Sequence, residues 1–248
     1  MKNGKHTKFI LTPIFEILKE CVNATKGISL GMETYPLCDY IMQTTFLKMT
    51  GASEQKLKCI LWEIATNDFS FRNEFLKQSY GECSNINDKI KVFNVIKNQI
   101  KEMNSDKDIF KKIYDDSTKS EIITKAGPEI IRIFEKTILS VWQGKQFNHF
   151  KYFYIDFLSD KFCEIKGKEN DVILLDSSIN YYEIVWKHRN RCAHNLKSYQ
   201  INLPDLSTLV KTEYDYENFF FRFSILVLLD EIFMKIYSKY LELLEDKI

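Results

Sequence analysis

The chain has 248 residues, enough for one large domain or for a domain with an elaborated end. Apolar residues make up 45% and aromatic ones 14%, which excludes a disordered chain and allows a sizeable core. The net charge of +1 excludes a bulk positive field, so any contact with nucleic acid has to be local.

With only 8 Gly and 4 Pro, and with Lys, Glu, Asp, Ile, Leu and Phe dominant, the composition predicts an all-α fold. The first twenty residues are basic and then apolar, but acidic residues and Pro13 interrupt them early. Neither a signal peptide nor a spanning helix is expected there. Thr12-Pro13 is a helix start, and that helix runs to about Ala24 and stops before Gly27. A second helix is predicted over Tyr35 to Met49, with Pro36 in its first turn and Gly51 as its stop. Ser53 then caps a third, with Leu57, Ile60, Leu61, Ile64 and Ala65 on one stripe.

Asp88 is expected to cap a fourth helix carrying Ile90, Phe93, Ile96, Ile100 and Met103. A short amphipathic piece follows near Ile109 to Tyr114. Pro128 opens a helix that buries Ile131, Phe134, Ile138 and Val141 or their neighbours, and Phe150, Phe153, Phe157 and Phe162 mark the next. Val172 to Leu175 is too short to assign from its period. A helix is then predicted from about Ser178 through Ile184, Val185 and Trp186 into a basic segment ending near Asn195. The last helix, from about Tyr216 to Leu244, reads as the centre of a bundle. Asp230 interrupts its apolar stripe, so a basic partner from another helix is expected. Its most apolar part, Phe219 to Leu229, holds Arg222 and is too short to cross a bilayer.

The six cysteines, Cys21, Cys38, Cys59, Cys83, Cys163 and Cys192, are scattered, with no CxxC pair and no His at ligand spacing. They read as reduced thiols of a soluble, cytoplasmic protein, with no metal, no cofactor and no membrane partner expected. Trp62, Trp142 and Trp186 read as core. Lys89-Ile90-Lys91 and Lys111-Lys112 read as solvated faces.

Chemistry concentrates in one place. Of five Arg and four His in the chain, two of each lie between His188 and His194. Arg grips phosphate oxygens through a planar fork that keeps its charge, and His exchanges protons near neutral pH. Those are the needs of metal-free RNA cleavage, in which the ribose 2′-hydroxyl attacks the adjacent phosphorus and the 5′-oxygen leaves. His194 suits proton transfer and Arg189 suits charge stabilisation. Asn190 lies four residues before His194, hence on the same helical face, and can orient the imidazole or bind the phosphate. Arg189 lies about 140° round from His194, so the helix must end or bend near Ala193 for both to reach one phosphate. Lys187, His188 and Arg191 flank the site and are expected to hold RNA phosphates on either side. A helix that merely ends in solvated basic residues is the plain structural alternative.

The string Arg189-Asn190-x-x-x-His194, after an aromatic-rich helix and before a long final helix, resembles the signature of the HEPN superfamily. The resemblance implies a HEPN-like four-helix bundle core. Its first half would be the helix pair Tyr35–Met49 and Ser53–Ala65, with additional helices inserted between the two helix pairs, at about 84–168. It further implies a metal-independent endoribonuclease acting on RNA as a homodimer, and a toxin or antiviral-defence (abortive-infection) effector with an antitoxin or sensor as a possible partner. Family members often pair the Arg with an acid on an early helix, for which Glu54 and Glu63 are both candidates. Leu196 stands where some relatives carry a modifiable Tyr, which argues against that route of control. The alternative is a HEPN-fold module that binds RNA or protein without cutting.

Overall fold

The computed structural model describes residues 4–77, 81–106, 108–159, 182, 185–190, 192–193 and 218–246. Every element among them is helical. Two short helices, α1 (Thr7–Leu11) and α2 (Glu16–Ala24), lead into α3 (Tyr35–Asn67) and α4 (Phe69–Lys77). Then come α5 (Ile86–Met103), α6 (Ile109–Ile113), α7 (Asp116–Ala126), α8 (Pro128–Phe134), α9 (Ile138–Trp142) and α10 (Gly144–Ser159). The long closing helix is α11 (Phe219–Glu245). No helix among the described residues is long and apolar enough to cross a membrane.

Helix α11 is the axis of the molecule. Every residue from Asn218 to Met234 is buried, the behaviour of a helix apolar around its whole circumference. Helices α3, α5, α7 and α10 pack against it. Aromatic rings fill its first turns: Phe134 meets Phe220 edge-on at 5.2 Å and stacks on Phe223 at 5.9 Å, while Phe157 lies 4.5 Å from Phe221. Helices α5, α7 and α10, from the part of the span 84–168 that is described, pack into this core. The described arrangement is all-α and organised around one central helix.

The expected partner of Asp230 is Lys56 of α3, whose Nζ donates to both carboxylate oxygens at 2.6 and 2.8 Å. Oδ2 of Asp230 also accepts from the backbone N–H of Ile14 at 2.8 Å, and Lys56 donates to the carbonyl of Thr12. This buried pair displaces the predicted cap. Thr12 ends α1 by donating its hydroxyl to the carbonyl of Lys8, and α2 begins only at Glu16. Burial pushes the Asp230 carboxyl up and the Lys56 ammonium down, and the attraction between them opposes both shifts.

Several predicted boundaries move. The two helices expected on either side of Gly51 are one helix of 33 residues. Gly51 is exposed inside it, and Ser53 is buried mid-helix rather than capping an end. A helix-interior Gly costs only about 1 kcal/mol, less than the packing of the two flanking halves supplies. The first half of the expected bundle is therefore a single rod. Helix α5 is capped by Asn85, whose side chain accepts from the N–H of Asp88 at 2.8 Å, so the cap lies three residues before the predicted one and Asp88 sits in the first turn. The helix opened by Pro128 stops at Phe134. Lys136 is left-handed at φ 62°, and Thr137 then caps α9 with a reciprocal bond to Ser140. Trp62, expected in the core, is 60% exposed, whereas Trp142 and Trp186 are half-buried against it. Phe162 and Val172 to Leu175 lie outside the described residues.

Candidate functional site

The basic segment is helical over 185–190 and at 192–193. Tyr182, Val185 and His188 are buried and Cys192 is half-buried, at spacings of three, three and four, which is one helical face turned inward. Lys187 and Ala193 are exposed, and Arg189 and Asn190 lie half-buried between the two faces. Three helices of the core hold the segment.

From α3 comes Glu54. Its Oε2 lies 3.6 Å from Nη2 of Arg189, with the glutamate side chain 13% exposed and the arginine side chain 30% exposed. Of the two acidic candidates, Glu54 is thus the one beside Arg189. Glu63 is buried elsewhere and accepts from the backbone N–H of His6 at 2.7 Å. The two glutamates are nine residues apart on one continuous helix, hence about 180° apart around it, so they cannot both face the segment. Nη1 of Arg189 donates to Oδ1 of Asn190 at 3.1 Å, so adjacent side chains of the string are joined directly.

From the start of α5 comes Lys89, read from the sequence as solvated but fully buried. Its Nζ donates to the carbonyl of Cys83 at 2.9 Å and stands 4.9 Å from the centroid of the Tyr182 ring. The Tyr182 hydroxyl donates to the carbonyl of Ser84 at 3.1 Å, so Tyr182 meets both the turn before α5 and Lys89 of α5 itself. Burial pushes the Lys89 amine down to about 8, against the opposing pull of the Glu54 carboxylate. Burial pushes the Tyr182 phenol up, with Glu54 adding to the shift and Arg189 opposing it. Cys83 is itself left-handed at φ 55°, a conformation that aims its carbonyl back at Lys89.

From α11 comes Arg222, whose Nη1 lies 2.7 Å from Nε2 of His188. His188 is 8% exposed and packs on Phe46 and Phe219, with centroids at 5.1 and 5.4 Å. This corrects the sequence reading: a buried imidazole facing a core guanidinium is not placed to hold an RNA phosphate. The inward spacing of Tyr182, Val185, His188 and Cys192 was the signal that could have found this. Lys187 keeps the exposure its expected role requires. Arg191 and His194, expected at the phosphate and at proton transfer, lie outside the described residues.

Chemically, the described part of the site is a guanidinium held near the surface by a carboxylate behind it and an amide beside it. Such an arm presents fixed N–H donors to an anion. Among the described residues no group of three or more His, Cys, Asp or Glu converges as a metal-binding set. Comparison of the chain with protein-family models, curated proteins and solved structures gave no match.

Proposed function

We propose that this chain is a metal-independent endoribonuclease of the HEPN type, acting in the cytoplasm as a homodimer and serving as a toxin or antiviral-defence effector. The observation that carries the reading is Arg189 itself. Its guanidinium is half-buried, backed by Glu54 and joined to Asn190, as a group that stabilises charge on a phosphoryl oxygen needs to be. In the proposed reaction the ribose 2′-oxygen bonds to phosphorus as the bond to the 5′-oxygen breaks. The 2′-hydroxyl gives up its proton and the 5′-oxygen gains one, leaving a 2′,3′-cyclic phosphate and a 5′-hydroxyl. His194 takes or gives one of those protons, and Arg189 stabilises the equatorial oxygens.

The test is induced expression of the wild type, Arg189→Ala and His194→Ala, with total RNA and its 5′ ends followed. Purified protein is assayed on RNA with and without EDTA. Growth arrest with 5′-hydroxyl fragments from the wild type alone, unaffected by EDTA, supports the reading. RNA bound but left intact by the wild type would instead make the protein a binding module.

A further inference from the structure

We propose that His188 is a positioning residue of this site. By accepting an N–H of Arg222 it fixes the rotation of the helical segment that presents Arg189 and Asn190. The inference rests on the reading of Arg189 as the phosphate-facing group and adds what holds it in register.

The chemistry of the contact is one-directional. Arginine has only donors and does not lose its proton, so Nε2 of His188 must offer its lone pair. The imidazole is therefore neutral, with its proton on Nδ1. The same Nε2 lies 3.4 Å from Sγ of Cys192, one turn further along the segment. The ring is wedged between Phe46 of α3 and Phe219 of α11, and the Arg222 guanidinium in turn lies 5.5 Å from the Phe219 ring. One side chain thus ties the segment to both long helices of the core, through a bond with direction rather than through apolar contact alone.

Rotation is the degree of freedom that matters here. Arg189 follows His188 by one residue, about 100° round the helix, so the angle at which His188 enters the core sets where the guanidinium emerges. A side-chain tip lies roughly 5–6 Å from the helix axis, so a 10° rotation moves it by about 1 Å. Misplacement of a catalytic group by about 1 Å can cost on the order of 100-fold in rate. An apolar residue of similar volume would fill the space while losing both the fixed angle and the acceptor that Arg222 uses.

The test combines spectroscopy of the wild type with two variants, His188→Leu and His188→Gln. In the wild type, nitrogen-15 histidine spectra should contain a neutral imidazole that disappears in both variants, protonated on Nδ1 and hydrogen-bonded through Nε2. His188→Leu should speed amide exchange across 185–193 and lower kcat on a single-stranded RNA about 10- to 100-fold with KM unchanged. His188→Gln, whose carbonyl can accept the same N–H, should restore most of both. Wild-type exchange and kcat in His188→Leu would overturn the proposal. So would a His188 imidazole protonated on Nε2, a result that stands even if the leucine variant fails to fold. If the wild type does not cut RNA, the nuclease reading fails by itself, and the tautomer and the exchange rates still decide the role of His188.

Discussion

Glu54 stands between two cations of unlike exposure, the half-exposed Arg189 at 3.6 Å and the fully buried Lys89 whose amine it helps to keep charged. Neutralising it separates positioning from packing. Glu54→Gln should lower RNA cleavage about tenfold; loss of the long, partly solvated Arg189 pair costs only about 0–1 kcal/mol, and loss of the attraction to the buried Lys89 adds to that below pH 8. Unchanged cleavage rates alongside an intact fold would remove Glu54 from the site. Lys89 carries its own pH signature. Its folded amine releases a proton near 8, whereas an unfolded lysine holds its own to about 10.5. Between those values the unfolded chain binds more protons, so the contribution of this position to stability rises with pH. Below 8 both states are protonated and the cost of burying the charge is present in full. Against Lys89→Met, which does not titrate, the wild type should gain roughly 3 kcal/mol in urea unfolding between pH 7 and 10.5. A difference that stays flat with pH would contradict the burial of a charged amine. At this scale the sequence exposes residue identity but not direction. Arg189, Asn190 and His194 stand out because rare side chains gather there. The choice of Glu54 over Glu63, and the inward aim of His188 and Lys89, depend on how two helices are rotated against each other.

Helix α3 shows what an element owes to its surroundings. A Gly flanked by Thr50 and Ala52, two residues before a Ser, reads as the end of one helix and the start of another. The chain instead runs straight through, with a buried face on both sides of Gly51 formed by Met42, Phe46 and Met49 before it and Leu57, Ile60 and Ile64 after it. A Cβ built on Gly51 meets nothing within 4 Å, and the residue is exposed. Gly51→Ala should therefore stabilise the protein by about 0.5–1 kcal/mol, seen as a raised Tm. Destabilisation would mean that Gly51 does terminate a helix in a conformation only Gly tolerates. The reverse happens after Pro128, where one predicted helix becomes α8 and α9 around the left-handed Lys136. Apolar periodicity located the core-facing residues after Gly51, whereas after Pro128 it found Phe134 and Ile138 but missed at Val141, which is 50% exposed beside the buried Leu139. In both cases it misjudged continuity, because a single residue changes local free energy by about 1 kcal/mol and packing on α11 and its neighbours changes it by several.

On the scale of the whole molecule, Lys56 and Asp230 join three regions far apart in sequence: the turn between α1 and α2, the middle of α3, and the middle of α11. Lys56→Met leaves the Asp230 carboxylate buried without its cation and should cost about 3–5 kcal/mol in urea unfolding. The double variant Lys56→Met with Asp230→Asn keeps an acceptor for the N–H of Ile14 and should recover most of that loss. A single variant as stable as the wild type would show that the charge is not held in the core. The sequence by itself determined that the protein is helical, that its last helix is central, and that Asp230 needs a cation. It also marked 188–194 as the stretch where the chain's few Arg and His gather. Composition, period and the rarity of Arg and His are properties of the chain, legible without a fold. Only the tertiary structure decided which cation meets Asp230, which glutamate backs Arg189, and that His188 faces Arg222 rather than solvent. Each of those is a choice among chemically equivalent residues, made by the relative rotation and offset of packed helices, which no local pattern encodes.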